Sequence, residues 1–315
     1  MHDARIGVIG ATGAVGTVTL RLLRERGYTN VRAFASARSA GKDLGGITVE
    51  EATHEALAAG GIDLALFSVG TSASRELVPH AVDGGALVVD KSSAYRLADG
   101  YPLVVPEVNA ARALDALETT RVVANPNCST IPLTCVLKPL HDAAGLRAVR
   151  VSTYQAVSGA GAQRMEQLRN EPPGDHDLAF DWSWDGDETD EESKIRAEGR
   201  KIMELPDLPI SATTVRVPVL VGHSQSVWIE TEEALSPEQA ASLLAAAPGV
   251  RLVDLPTSRA AAETEDVLVG RIRSDQASDR GGFVLFLACD NLVKGAALNA
   301  IQIAELLLEP ARTAA

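Results

Sequence analysis

Two hydrophobic periods alternate in the first part of this chain, and that alternation constrains its fold more than any other feature. Arg5 to Ile9 reads as a buried strand, Val15 to Leu23 as a helix, and Val31 to Ala35 as a second strand. Ile62 to Val69 carries Leu64, Leu66 and Phe67, so it is apolar on both faces, as a central parallel strand must be. A helix begun near Ser72 continues through Leu77 to Asp83, and further strands follow at Ala86 to Asp90 and Arg121 to Ala124. Next comes a helical pattern in which Ile131, Leu133, Val136, Leu137 and Leu140 recur near helical spacing. Strand–helix alternation of this kind predicts an α/β, doubly wound parallel sheet.

The pattern changes after Cys128. Longer strands are expected at Ala148 to Gln155, Ile210 to Arg216, Val227 to Thr231, Val267 to Arg273 and Phe283 to Cys289, with helices between them. They suggest an α+β domain on a mostly antiparallel sheet. Asn170 to Asp190 shows no period and is expected to be a loop or an interface excursion; the final helix, Leu292 to Leu308, reads as strongly amphipathic. Two domains also fit the length, since 315 residues exceed what one hydrophobic core usually serves.

Composition excludes several classes. A net charge of −13 argues against nucleic-acid binding, which needs a basic stripe. Three cysteines make an odd count, against a disulfide framework and for a reducing compartment. A strand pattern begins within a few residues of Met1, and no uncharged apolar run approaches the roughly 18 residues of a membrane span. A cytoplasmic protein with no membrane partner is the expectation. His54, His80, His141 and His176 have no metal-ligand spacing with one another or with the cysteines, so no metal is expected.

Between the first strand and the first helix stands Gly10-Ala11-Thr12-Gly13-Ala14-Val15-Gly16. Glycines there permit a tight turn, let backbone approach a pyrophosphate, and leave a helix N-terminus facing the phosphates. The spacing is GxxGxxG rather than GxGxxG, and a glycine-rich turn without a ligand is the bland alternative. Strand two runs into Ala35-Ser36-Ala37-Arg38-Ser39, with no carboxylate to hold a ribose hydroxyl. Ser36, Arg38 and Ser39 suit a 2′-phosphate, so NADP is the better fit, unless Arg38 is only a solvated loop residue.

A second segment carries chemistry. Asn125-Pro126-Asn127-Cys128-Ser129-Thr130 joins a strand to a helix, placing the Cys128 thiol at the helix's positive end, which favours a nucleophilic thiolate. The segment alone leaves a packed core cysteine equally open. Cys135 and Cys289 read as core residues.

Together these residues resemble the aspartate-β-semialdehyde dehydrogenase family over nearly the whole chain. The resemblance includes Asp90-Lys91-Ser92-Ser93-Ala94-Tyr95-Arg96, Pro106-Glu107-Val108-Asn109 and Tyr154 to Gly161. It continues through Arg216 to Ser224 and Lys294 to Ala300. It implies a Rossmann-like NADP-binding domain at 1–127, completed by a C-terminal helix at 292–315. Residues 128–291 would form a catalytic and dimerisation domain of the glyceraldehyde-3-phosphate-dehydrogenase-like type. By the same resemblance Cys128 is the acyl-thioester nucleophile, Gln155 orients the bound substrate, and His223 is the general acid/base. Arg216 grips the substrate carboxylate, Arg96 and Lys194 bind phosphate, and Glu191 receives the substrate ammonium. Gly10, Thr12, Gly13, Ala14 and Val15 meet the dinucleotide, while Ser158, Gly159 and Asn291 lie at its nicotinamide. The partners implied are aspartyl phosphate, aspartate semialdehyde and phosphate, in a homodimer or homotetramer serving lysine, threonine, methionine and diaminopimelate biosynthesis.

The chemistry agrees. Reducing an acyl phosphate needs a nucleophile that displaces phosphate and holds the acyl carbon for a hydride, and a thiolate does both. A base of near-neutral pKa to move the thiol and hemithioacetal protons suits His223. Taken singly, His223 also reads as a turn histidine and Arg216 as half of a surface pair. Glu191 and Lys194 lie on a helix rich in charge, which also fits a solvated, salt-bridged face.

Two departures from the family stand out. Lys91 replaces the usual Asn, and the shortened 170–190 segment shows Asp181-Trp182-Ser183-Trp184. N-acetylglutamyl-phosphate reductase is an alternative, but that sibling shows Gly-Cys-Tyr at the nucleophile. A non-catalytic NADP-binding paralogue is another; it would have no reason to keep Cys128, Gln155, Arg216 and His223 together.

Overall fold

The structure, a computed structural model, describes residues 3–170, 180, 182–278 and 282–313, with side chains up to residue 309. The chain forms two compact units, Met1–Pro126 with Ala296–Ala315, and Asn127–Gly295.

In the first unit, β1 (Ile6–Ile9), β2 (Val31–Ala35), β3 (Val49–Glu51), β4 (Leu64–Phe67), β5 (Leu87–Asp90) and β6 (Val122–Ala124) form one sheet in the order β3-β2-β1-β4-β5-β6. Every pair is parallel, as the alternation predicts. All residues of β1, β4 and β5 are buried, because helices cover both sheet faces and leave no solvated side. These helices include α1 (Ala14–Glu25) and α3 (Thr71–Asp83); α2 (His54–Ala58), α4 (Pro106–Asn109) and α5 (Ala111–Asp115) are shorter. Strand order reverses between β1 and β4, so a crevice opens beyond their carboxyl ends, where the glycine turn lies.

The C-terminal helix, Leu298–Thr313, packs on α1, α4, α5, β4 and β5. A strong amphipathic character was expected of it, but only Glu309 is exposed among its described side chains. Contacts with both a sheet and other helices leave it no broad polar face.

The second unit contains β7 (Leu146–Gln155) and a two-stranded ribbon of β8 (Trp184–Asp185) and β9 (Glu188–Thr189). It also holds β10 (Ile210–Arg216), β11 (His223–Thr231), β12 (Val250–Leu252), β13 (Val267–Ser274) and β14 (Phe283–Cys289). The large sheet runs β10-β7-β11-β14-β13-β12. Its inner pairs are antiparallel and its two outermost pairs parallel. Val149, Val151, Thr153 and Gln155 of β7 are buried, whereas Arg150 and Tyr154 are exposed, a period of two that gives the sheet one inner face. Against this sheet pack α6 (Thr130–Ala144) and α8 (Asp190–Met203). The remaining helices are α7 (Ala162–Asn170), α9 (Pro237–Ala246) and α10 (Ser258–Ala261).

The segment expected to be an aperiodic loop therefore contains the β8–β9 ribbon, turned at Gly186 with a φ of 67°. Polar residues dominate it, so local turn chemistry rather than hydrophobic period defines it. Asp181, part of the departure noted above, and His176 lie outside the described residues.

Candidate active site

The cysteine segment folds as a tight entry into α6, with Ser129 as N-cap and Cys128 just before it. Asn127 builds the turn: its Oδ1 accepts the Ser129 amide at 2.8 Å, and its own amide donates to Glu198 Oε2 at 2.6 Å. Gln225 Nε2 donates to the Ser129 carbonyl at 2.7 Å. Gly295 passes so close that a Cβ there would lie 3.1 Å from the Cys128 Cβ and carbonyl oxygen.

His223 begins β11 and sits opposite Cys289 of β14, a register that turns its ring inward. Its Nε2 lies 3.3 Å from Cys128 Sγ, and the Ala156 amide donates to its Nδ1 at 3.0 Å. An amide only donates, so Nδ1 is the bare nitrogen and the neutral ring carries its proton on Nε2, facing sulfur. The ring is 1% exposed. Burial, and secondarily the Arg216 guanidinium, push its pKa down to about 3. This differs from the near-neutral base expected above: full desolvation and a nearby cation both oppose the imidazolium.

Gln155 ends β7 and pairs in register with Arg216 at the end of β10. Glu191, in the first turn of α8, receives Gln155 Nε2 at 3.1 Å and Asn127 Nδ2 at 2.9 Å on the same oxygen, Oε1. Lys194 donates to Asp190 at 2.8 Å and lies 3.9 Å from Glu191, so neighbouring carboxylates already partly balance its charge. Arg216 Nη1 donates to the Ala156 carbonyl at 3.0 Å. A Cβ on Gly159 would lie 3.1 Å from Arg216 Nη1 and 3.4 Å from His223 Nε2, so this glycine adjoins both groups. Cys128, Gln155, Glu191, Lys194, Arg216 and His223 thus belong to one hydrogen-bonded and close-packed neighbourhood of the second unit. Asn291 is nearby in chain and fold: its Nδ2 donates to Ser158 Oγ at 2.8 Å and its Oδ1 accepts the Gly222 amide at 2.9 Å.

The remaining candidates lie in the first unit. Gly10 has a φ of 84°, and a Cβ there would come within 2.3 Å of the Ser68 carbonyl oxygen. A Cβ on Gly16 would meet the Gly10 carbonyl oxygen at 2.2 Å, so both positions require glycine. Gly13 caps α1 without any side-chain hydrogen bond, so no side chain occupies the N-terminus of this twelve-residue helix, where Ala14 and Val15 begin it just after Thr12. Ser36 caps a short 3-10 turn beyond β2 that contains Arg38 and Ser39, with Arg38 exposed. Arg96 Nε donates to the Asn125 carbonyl at 3.0 Å and Nη2 to the Lys91 carbonyl at 2.6 Å.

Asn127, Glu198 and Ala156, and Trp182, whose ring lies 4.4 Å from Arg216 Cζ, are not among the site residues the sequence predicts. Asn127 stood next to the cysteine, where its capacity for an Asx turn was readable. Glu198 was hidden in a helix whose charges looked uniformly solvated, yet it is 1% exposed. Among the described residues, no cluster of three His, Cys, Asp or Glu is arranged to hold a metal. Among them, too, no helix is long and apolar enough to cross a membrane.

Residues 5–116 match the family model described as semialdehyde dehydrogenase, NAD binding domain. Residues 137–181 and 181–294 match semialdehyde dehydrogenase, dimerisation domain. The chain is 46% identical to aspartate-semialdehyde dehydrogenase of Corynebacterium melassecola, over 96% of this chain and 99% of that one. Identity to the Bacillus subtilis enzyme of that name is 42%, over 96% of each. Among solved structures, aspartate semialdehyde dehydrogenase II of Vibrio cholerae superposes with a TM-score of 0.89 at 36% identity, covering 97% of this chain and 98% of that one. The same enzyme complexed with ASA gives the same TM-score of 0.89. Glycine turn, cysteine segment and near-complete coverage agree: the chain belongs to the aspartate-semialdehyde dehydrogenase family.

Proposed function

We propose that this protein is an aspartate-semialdehyde dehydrogenase, reducing L-aspartyl 4-phosphate to L-aspartate 4-semialdehyde and phosphate with NADPH. The observation that carries this reading is the Cys128 sulfur at a helix entry, 3.3 Å from His223 Nε2, with Arg216 and His223 both beside Gly159.

Cys128 attacks the acyl phosphate as a thiolate; a C–S bond forms and the C–O bond to phosphate breaks. His223 Nε2–H donates to the oxyanion that develops on the carbonyl, an oxyanion-hole role. Bound NADPH supplies the hydride to the thioester carbon. Collapse of the resulting alkoxide breaks the C–S bond, frees the aldehyde and returns Cys128 as thiolate. The one proton consumed goes to the departing phosphate, so a ring that only donates hydrogen bonds suffices in this direction. Arg216 binds the substrate carboxylate, Glu191 and Gln155 position the ammonium and acyl group, and Arg96 and Lys194 bind phosphate.

Glycines that admit no side chain and an uncapped α1 N-terminus fit a dinucleotide pyrophosphate. Gly10, Thr12, Gly13, Ala14 and Val15 would hold it, Ser36, Arg38 and Ser39 the 2′-phosphate, and Ser158, Gly159 and Asn291 the nicotinamide. Residues 1–127 with the C-terminal segment form the cofactor domain, and 128–291 the catalytic and dimerisation domain. A homodimer is supported by the match to the family's dimerisation domain, and we assign its contact to the large-sheet face that carries Tyr154, stacked on Phe286 at 6.0 Å between centroids.

The test is NADPH formation from aspartate semialdehyde, NADP and phosphate, with N-acetylglutamate semialdehyde as control. Turnover of the control alone would select the sibling reductase, and turnover of neither the non-catalytic paralogue.

A further inference from the structure

The guanidinium of Arg216 lies under the indole of Trp182, with Cζ 4.4 Å from the ring centroid. Arg216 is 6% exposed, and its Nη1 is held by the Ala156 carbonyl at 3.0 Å. One face of the guanidinium is therefore covered by the indole and Nη1 is bonded in its plane, and a planar guanidinium recognises a carboxylate edge-on rather than through its faces. Trp182 is itself anchored through its neighbours. The Ser183 carbonyl accepts the Asp190 amide at 2.8 Å, at the start of α8. The ribbon that follows pairs Trp184 with Thr189, and Thr189 Oγ1 lies 3.2 Å from Thr214 Oγ1, two residues before Arg216. Glu192 Oε1 accepts the Thr214 amide at 2.8 Å. The ribbon that carries the indole and the strand that carries the guanidinium are thus bonded to each other. Trp184, by contrast, is 63% exposed and serves no such contact with Arg216.

We propose that Trp182 is a positioning residue that sets specificity for the substrate's α-carboxylate, by clamping the Arg216 guanidinium beneath its indole. The inference rests on the functional reading above and on Arg216 as the carboxylate partner. A desolvated cation–π contact stiffens the guanidinium and keeps water from one face, so it strengthens recognition of the carboxylate more than reaction of the aldehyde.

The experiment compares aspartate semialdehyde with 3-aminopropanal, the same aldehyde without its carboxylate, in the wild type, Trp182→Ala, Trp182→Phe and Arg216→Leu. Trp182→Ala should lower the ratio of kcat/KM for the two aldehydes by roughly 3- to 30-fold. The change should appear mainly in KM for aspartate semialdehyde, and Trp182→Phe should restore most of it. In an Arg216→Leu background, Trp182→Ala should add nothing, because the coupled partner is gone. An equal loss for both aldehydes, or an undiminished effect without Arg216, would overturn the inference while leaving the proposed reaction standing. A wild-type enzyme inactive on aspartate semialdehyde would overturn both.

Discussion

The Ala156 amide and the Cys128 sulfur hold opposite nitrogens of His223, the amide on Nδ1 at 3.0 Å and the sulfur 3.3 Å from Nε2. That arrangement fixes one neutral tautomer, since an imidazolium would set two N–H donors against each other at Nδ1.

His223 should therefore contribute no ionisation to kcat/KM near neutrality, its pKa having fallen to about 3 through burial and the Arg216 charge. The linkage sign follows. A histidine depressed below its unfolded value near 6.5 leaves the unfolded chain with more bound protons between the two pKa values. Stability is thus unaffected above that range and is lost as pH falls from about 6.5 toward 3. His223→Asn should keep part of the activity by retaining a donor, whereas His223→Ala should lose about 10²- to 10³-fold in kcat. Nitrogen-15 chemical shifts of the ring would decide: a protonated Nδ1 at pH 7 defeats this account.

Cys128→Ser should abolish turnover while leaving Tm and NADP binding near wild-type values. The sulfur is only partly buried, so the smaller hydroxyl leaves no core cavity. Its alkoxide forms far less readily than a thiolate at neutral pH. Retention of about a tenth of wild-type kcat would mean that another group attacks the carbonyl.

Legibility in the sequence followed hydrophobic period and local geometry. The parallel sheet was readable because β1, β4 and β5 are buried on both faces and so are uniformly apolar. Three-residue β3 and β12 were missed, since so short a run offers no period. Cys128 announced its helix entry through its immediate neighbours, but the link from Asn127 to Glu198 spans 71 residues and left no local trace. The His223 tautomer was equally hidden, because it depends on a backbone amide 67 residues away. Lys194 looked like one of many helix charges, and its contact with Asp190 at an i,i+4 spacing was the readable part.

Glu198→Ala should destabilise the protein by about 1–3 kcal/mol, because the buried Asn127 amide loses its acceptor. The same change should lower kcat, since that amide positions the turn carrying Cys128. Glu198→Gln keeps an acceptor oxygen and should recover most of both losses. Urea melts and initial rates on the two variants check this; equal damage by Gln and Ala would point to the charge rather than the hydrogen bond.

Lys91 should make stability depend on alkaline pH. Burial pulls its pKa down to about 7 despite the Asp90 carboxylate, which also accepts Ser74 and Ser92 hydroxyls at 2.6 Å each. Its Nζ makes a long hydrogen bond to Thr19 Oγ1, at 3.5 Å. Between about 7 and the unfolded value near 10.4 the unfolded chain holds the extra proton, so stability rises with pH across that window. Lys91→Met removes the titration. Its Tm advantage over the wild type should be largest near pH 6 and shrink toward pH 10. An advantage independent of pH would show that Lys91 stays charged at no cost.

Cofactor choice should rest on the turn after β2. Ser36, Arg38 and Ser39 present a guanidinium and hydroxyls there, and no carboxylate occurs before Asp43. Arg38 is exposed, so a 2′-phosphate reaches it without displacing a buried partner. Each charge-assisted hydrogen bond to the phosphate contributes about 1.5–3 kcal/mol. Since 1.4 kcal/mol corresponds to tenfold, NADP should be preferred over NAD by at least roughly tenfold in kcat/KM. Arg38→Asp should weaken NADP through repulsion and improve NAD by offering the ribose hydroxyl an acceptor. Steady-state kinetics with both cofactors, on the wild type and this variant, measure the shift. An undiminished NADP preference in Arg38→Asp would place the 2′-phosphate elsewhere.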